Sequence, residues 1–188
     1  DLVQILKQLA GGMGTSIEIF AVTLIFSLPL GLLISFGRMS KNPVIRTIVK
    51  FYISIMRGTP LMLQLMVVYF GPYYLFRIKV GSGYRLWATF IGFVINYAAY
   101  FAEIYRSGIQ SMPVGQYEAA QILGYSRFQT FFKNHTAQVI KRILPSVTNE
   151  VITLVKDTSL AFTLSVAEMF SIAKALAASQ TNMIPFVA

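Results

Sequence analysis

Three stretches of this chain carry no charge, and their length limits the fold more than any other feature. Nineteen residues separate Glu18 from Arg38 (Ile19–Gly37), nineteen separate Arg57 from Arg77 (Gly58–Phe76), and seventeen separate Arg85 from Glu103 (Leu86–Ala102). About 20 residues of α-helix cross the apolar core of a bilayer, so each gap is a candidate membrane span. The first is not a removable signal segment, because it lacks a basic start and a small-residue cleavage site and runs directly into a basic connection. A fourth span is expected at about 147–166, where the apolar run Leu154–Met169 encloses Lys156 and Asp157. Asn182–Ala188 are apolar again and read as the start of a fifth helix.

Composition agrees with this reading. Only 12% of the 188 residues are charged and 55% are hydrophobic, against a charged fraction of about 25% in soluble domains. A soluble enzyme, a disordered tail and a disulfide-stapled secreted module are all excluded. Without cysteine there is no disulfide, thiolate zinc site or catalytic thiol, and the single histidine, His135, rules out a histidine cluster. The net charge of +9 would suggest nucleic acid in a soluble protein. Here the basic residues bracket apolar spans instead of forming one face, so no nucleic-acid partner is expected.

The basic residues also orient the chain. Arg38, Lys41, Arg46, Lys50 and Arg57 lie in the first connection, and Arg106, Arg127, Lys133, Lys141 and Arg142 lie around the long connection 105–147. Lys7, Arg77, Lys79, Arg85 and Lys174 fall on the opposite side. Ten against five places both larger connections in the cytoplasm and the N-terminus outside. The expected protein is one domain over 1–188, all-α and integral to the membrane, with about five transmembrane helices, the fifth truncated here.

The 105–147 segment has helix grammar. Pro113 fixes φ at a helix start, Gln116–Leu123 are good helix formers, and Gly124 is placed as a left-handed stop. Ser126 and Gln129 have capping-box spacing before a second helix through Phe128, Phe131 and Phe132. Glu118, Ala119 and Ala120 put one anion beside a small-residue surface on the first of these helices. An amphipathic helix lying on lipid would look the same in composition.

Polar groups at membrane depth are costly and therefore candidates for function. Asn96 and Tyr97 fall near the middle of the third span and Tyr100 one turn below. Asp157 and Thr158 fall near the middle of the fourth, with Gln64 shallower in the second. An amino-acid zwitterion needs an acceptor for its ammonium and a donor for its carboxylate, which Asp157 with Lys156, aided by Asn96 and Gln64, would provide. Hydrogen bonding between helices is the competing role for each. Lys156 and Asp157 are adjacent, so each needs its own partner. Glu103 and Arg106, three apart, are expected to pair locally. Gly58 and Pro60 would break a continuing helix, with Thr59 capping the next one. Gly11–Gly14 reads as a loop or helix break before the first span, and no G-x-x-x-x-G-K-[ST] phosphate cradle is present.

Glu118-Ala119-Ala120 followed by Gly124 resembles the core of the EAA loop of bacterial ABC importer permeases. The run from Tyr100 to Ser126, together with Arg57–Gln64 and Leu154–Leu160, is similar to the polar amino acid branch of that family. The usual Ile-x-Leu-Pro close of the EAA motif is absent, since those positions read Asn134-His135-Thr136-Ala137; Leu144-Pro145 is out of register. The resemblance implies a type I ABC importer permease fold, multi-pass in a bacterial cell membrane (inner or plasma). It implies a second permease chain in a homo- or heterodimer, two ATPase subunits holding ATP and magnesium, and an external substrate-binding protein or domain. This chain would bind no cofactor and catalyse nothing itself. Glu118, Ala119, Ala120 and Gly124 would form the coupling helix that seats in an ATPase cleft. The cargo would be a polar amino acid such as glutamine, glutamate, arginine or histidine. A passive amino acid channel or facilitator with no ATPase is the alternative.

Overall fold

The computed structural model describes residues 2–79, 81, 83–126, 129–130, 136–180 and 183–187. Every regular element among them is helical. The helices are α1 (Leu2–Arg38), α2 (Pro43–Gly58), α3 (Leu61–Phe76), α4 (Tyr84–Gln110), α5 (Val114–Ile122) and α6 (Thr136–Asp157). A 3-10 segment, Thr158–Leu164, leads on to α7 (Met169–Gln180) and the short α8 (Ile184–Val187). By length and composition α1 and α4 each suffice to cross a membrane, and the bent pairs α2–α3 and α6–α7 bring the spans to as many as four. The α8 turn falls where the fifth helix is expected to begin.

The centre of the bundle is α4. In its most apolar stretch 61% of residues are buried, against 28% for α1. Lipid tails are as apolar as leucine side chains, so close packing and not the hydrophobic effect must hold such helices together. Small residues supply that closeness on α4: Ala88, Ala98, Ala99 and Ala102 are all fully buried. On α1, a Cβ at Gly31 would stand 2.8 Å from the Phe101 Cβ and 3.0 Å from the Ala98 carbonyl oxygen. Around this seam Phe93, Tyr97, Phe101, Ile19, Leu65 and Leu154 join α1, α3, α4 and α6 in one core.

Four expectations need correction. The fourth span is not one helix over 147–166. Its α-helix starts at Thr136 and ends at Asp157, gives way to the 3-10 segment, and turns by 64° into α7 after Ser165 at φ 56°. Local hydroxyls account for the change, because Thr158, Ser159 and Thr163 each donate to the carbonyl three residues back, at 2.8 Å. Such side-chain bonds compete with the α-helical ladder, and the backbone tightens into 3-10 geometry.

Thr59 does not cap α3 either. Pro60 occupies that position, while the Thr59 hydroxyl donates back to the Ile55 carbonyl of α2 at 2.8 Å. The two helices meet at 112°. Gly11–Gly14 lies inside α1 and breaks nothing. There Gly12 faces the backbone of Glu168 and Met169, which a Cβ would approach to 2.8–2.9 Å, so tertiary packing overrides glycine's weak helix propensity. The flanks of the 105–147 segment are helical too, since α4 continues to Gln110 and α6 begins at Thr136.

Candidate translocation path and coupling surface

The polar residues at mid-helix sort into three groups. Gln64 and Asn96 meet at the α2–α3 bend. The Gln64 amide donates to the carbonyls of Met56 and Thr59, both at 3.0 Å, and to the Thr59 hydroxyl at 2.8 Å. Asn96 Nδ2 donates to the Met56 carbonyl at 3.1 Å and to Gln64 Oε1 at 2.9 Å. A helix that ends inside an apolar layer strands its last carbonyls, and these two amides satisfy them. They tie α3 and α4 to the end of α2 at the bend.

The second group is Tyr97 with Asp157. Tyr97 is fully buried on α4, and its hydroxyl donates to Asp157 Oδ2 at 2.7 Å. The carboxylate stays half-buried at the last position of α6, with acceptor capacity left over. Thr158 is buried and spends its hydroxyl on the Val155 carbonyl. Lys156 points away, exposed and in no ion pair among the described residues.

The third group lines a cavity of about 490 Å³ between α4 and α6, whose charged lining is Arg57, Glu103, Arg106, Arg142 and Glu150, with Tyr100 among the other lining residues. The Arg57 guanidinium lies 5.3 Å from the centre of the Tyr100 ring, a cation–π contact. Glu103 and Arg106 pair as the spacing predicts, at 2.6 Å, and Arg38 of α1 approaches the same carboxylate at 3.6 Å. Glu150 is the residue that sequence reasoning missed. It lies half-buried on α6, two turns before Asp157 on the same face, and its i, i+7 spacing from Asp157 within the expected 147–166 span is the signal that finds it.

Along α6, Arg142, Ser146, Asn149, Thr153 and Lys156 recur at steps of four and three and are all exposed. Turned to lipid, a single central lysine costs about 2.5–3.5 kcal/mol on insertion scales. This stripe therefore faces water or another polypeptide.

Next to this cavity, beyond Ser111, α5 has two faces. Tyr117 and Ala120 turn inward, Ala120 being 2% exposed, and Tyr117 packs on the buried cluster of Met112, Val139 and Ile143. Val114, Glu118 and Ile122, one turn apart, are exposed, with Ile122 at 87%. Ala119 joins this outer face, so the two alanines look in different directions. Gly124 closes the helix at φ 76°, a conformation that is strained for residues with a Cβ. The Tyr125 amide bonds to the Ala120 carbonyl and the Gly124 amide to the Gln121 carbonyl, both arms of a Schellman stop. The capping box is formed reciprocally: Ser126 N donates to Gln129 Oε1 at 2.9 Å and Gln129 N to Ser126 Oγ at 3.2 Å. Phe128, Phe131 and Phe132, and His135 with Asn134, lie outside the described residues.

The structure is a helical bundle with two helices, or up to four spans, long and apolar enough to cross a membrane, and with one short, half-exposed helix, α5, packed against α4 and α6. Residues 27–188 match the family described as binding-protein-dependent transport system inner membrane component. The chain belongs to that family. It is 39% identical over 139 residues to a putative glutamine transport system permease protein, GlnP, of Rickettsia bellii, covering 74% of this chain and 62% of that one. With a probable amino-acid ABC transporter permease, YckA, of Bacillus subtilis it shares 40% over 164 residues, covering 87% and 70%. The chain thus spans about two thirds of the length of these relatives. A crystal structure described as an amino acid ABC transporter with histidines superimposes with TM-score 0.85 at 28% identity, covering all of this chain and 87% of the other. The fold is that of a type I ABC importer permease.

Proposed function

We propose that this chain is the translocation subunit of an ATP-driven importer of polar amino acids in the bacterial inner membrane. It works by alternating access beside a second permease chain, above two ATPase subunits that hold ATP and magnesium, and beneath an external substrate-binding protein. The observation that carries the reading is α5. Its inner face is packed, its outer face presents Val114, Glu118, Ala119 and Ile122, and a left-handed glycine fixes its end. Apolar side chains exposed beside one charge, on a helix too short to span, fit a protein cleft; a passive channel or facilitator requires no such helix. Residues 105–147 are then the cytoplasmic segment of a single permease domain over 1–188.

Within that reading the polar stripe of α6 faces the second permease chain across the path. Asp157, held by Tyr97, takes the ammonium of the passing amino acid, with Glu150 as the next carboxylate toward the cytoplasm. Lys156 and Arg57 supply donors for the carboxylate, Tyr100 and Thr158 line the route, and Gln64 and Asn96 hold its wall. The similarity to permeases named for glutamine and amino-acid transport supports this cargo class.

Replacing Glu118 with Arg reverses the one charge on the docking face without touching the packed one. ATPase subunits co-purified with the tagged Glu118→Arg chain in mild detergent are expected to fall at least tenfold, while the permease itself elutes as the unaltered protein does. Equal recovery of ATPase from both chains would remove α5 as the docking element.

A further inference from the structure

We infer that α5, the last turn of α4 and the first turns of α6 move as one rigid body, and that Arg142 is the positioning residue that makes them one. The inference rests on the importer reading above and says how a push on α5 reaches the path. Three contacts fasten the junction. Gln116 Nε2 of α5 donates to Gln138 Oε1 of α6 at 3.2 Å. Arg142 Nη1, one turn further along α6, donates to the Ser111 carbonyl at 2.6 Å and to the Ser111 hydroxyl at 3.0 Å. Ser111 ends α4 and stands three residues before α5. Between these bonds Gly108 of α4 abuts Ile143 of α6 so closely that a Cβ on it would come within 2.2 Å of Ile143 Cγ2. Met112, Val139 and Ile143 are buried in the same junction at 5%, 5% and 8% exposure.

The Arg142 bonds matter because of where they fall. A guanidinium offers a planar fork of donors, and this one takes both oxygens of the residue at which α4 ends. Only Ser111–Pro113 connect α4 to α5, so α5 would otherwise swivel on that link. With Ser111 held from α6, a displacement of α5 carries α6 with it, and α6 bears Glu150 and Asp157. Interfaces packed this tightly have discrete arrangements and do not deform continuously.

The chain contains no cysteine, so paired thiols can be introduced cleanly. In the complex reconstituted with its ATPase subunits and binding protein, Gln116→Cys with Gln138→Cys is joined by a short bifunctional thiol reagent. ATP-driven uptake is expected to stay within twofold of the unjoined protein, because the joined atoms do not move apart during the cycle. Arg142→Ala is expected to keep ATP hydrolysis within twofold while uptake falls about tenfold. Arg142→Lys recovers part of the loss, and joining positions 116 and 138 in the Arg142→Ala protein recovers most of it. A general loss of fold in Arg142→Ala would lower ATP hydrolysis and uptake together, whereas loss of the Ser111 clamp lowers uptake alone. Uptake abolished by the cross-link, in a complex that takes up amino acid before the reagent is added, overturns the rigid body and leaves the importer reading intact. A complex with no ATP-driven uptake before any reagent overturns the importer reading and this inference with it.

Discussion

Asp157→Asn is expected to lower amino-acid uptake by about 10- to 100-fold while the complex still assembles. The asparagine keeps the shape and can still accept the Tyr97 hydroxyl, which lies 2.7 Å from Oδ2, so the helix contact survives. What disappears is the negative charge offered to the substrate ammonium. A hydrogen bond to a charged group contributes about 1.5–3 kcal/mol, and each 1.4 kcal/mol is about tenfold in rate. Tyr97→Phe leaves the carboxylate in place and frees it from its tether, so its loss of uptake is expected to be smaller. Initial uptake rates with co-purified ATPase as the measure of assembly separate the two effects. Equal uptake by Asp157→Asn and the unaltered protein would remove Asp157 from the path.

Gly31→Leu is expected to have the largest effect on stability. Even its Cβ would stand 2.8 Å from the Phe101 Cβ and 3.0 Å from the Ala98 carbonyl oxygen, and backbone on the central helix has little room to yield. Overpacking of this kind costs about 1–3 kcal/mol and at times more. At roughly 2–4 °C per kcal/mol for a chain of this size, the melting temperature in detergent should fall by about 5–10 °C. Gly11→Leu is the control, since nothing lies within 4 Å of a Cβ there and leucine is the better helix former. If both substitutions shift the melting temperature alike, the α1–α4 seam is not what holds the bundle.

Much of this arrangement is legible in the chain because its signals are local. Missing charges mark α3, α4 and the second half of α1, since a bilayer forbids unpaired charge over a known length. Gly124 announced its left-handed stop, Ser126 and Gln129 their reciprocal cap, and Glu103 and Arg106 their pairing, each within four residues. The failures have equally physical reasons. The 3-10 segment after Asp157 arises from three hydroxyls that each bond three residues back, a competition that hydropathy does not register. The helix runs through Gly11–Gly14 with residues 168–172 packed on Gly12 from across the chain. Gln64 and Asn96, 32 residues apart, find each other only when α3 and α4 are side by side. Glu150 reads in the sequence only as a charge in the first turn of the expected 147–166 span, an ordinary interfacial place, whereas α6 begins eleven residues before Val147 and holds it in the helix interior. Lys156 and Asp157 were expected to need separate partners; Asp157 has Tyr97, and Lys156 has none within this chain's described residues.

Accumulation of labelled glutamine in proteoliposomes holding this chain, its ATPase subunits and its binding protein tests ATP-driven import most directly. Import coupled through α5 predicts that ATP raises internal glutamine above the external concentration and that a non-hydrolysable analogue does not. Uptake that stops at equal concentrations and ignores ATP would contradict it and identify a facilitator.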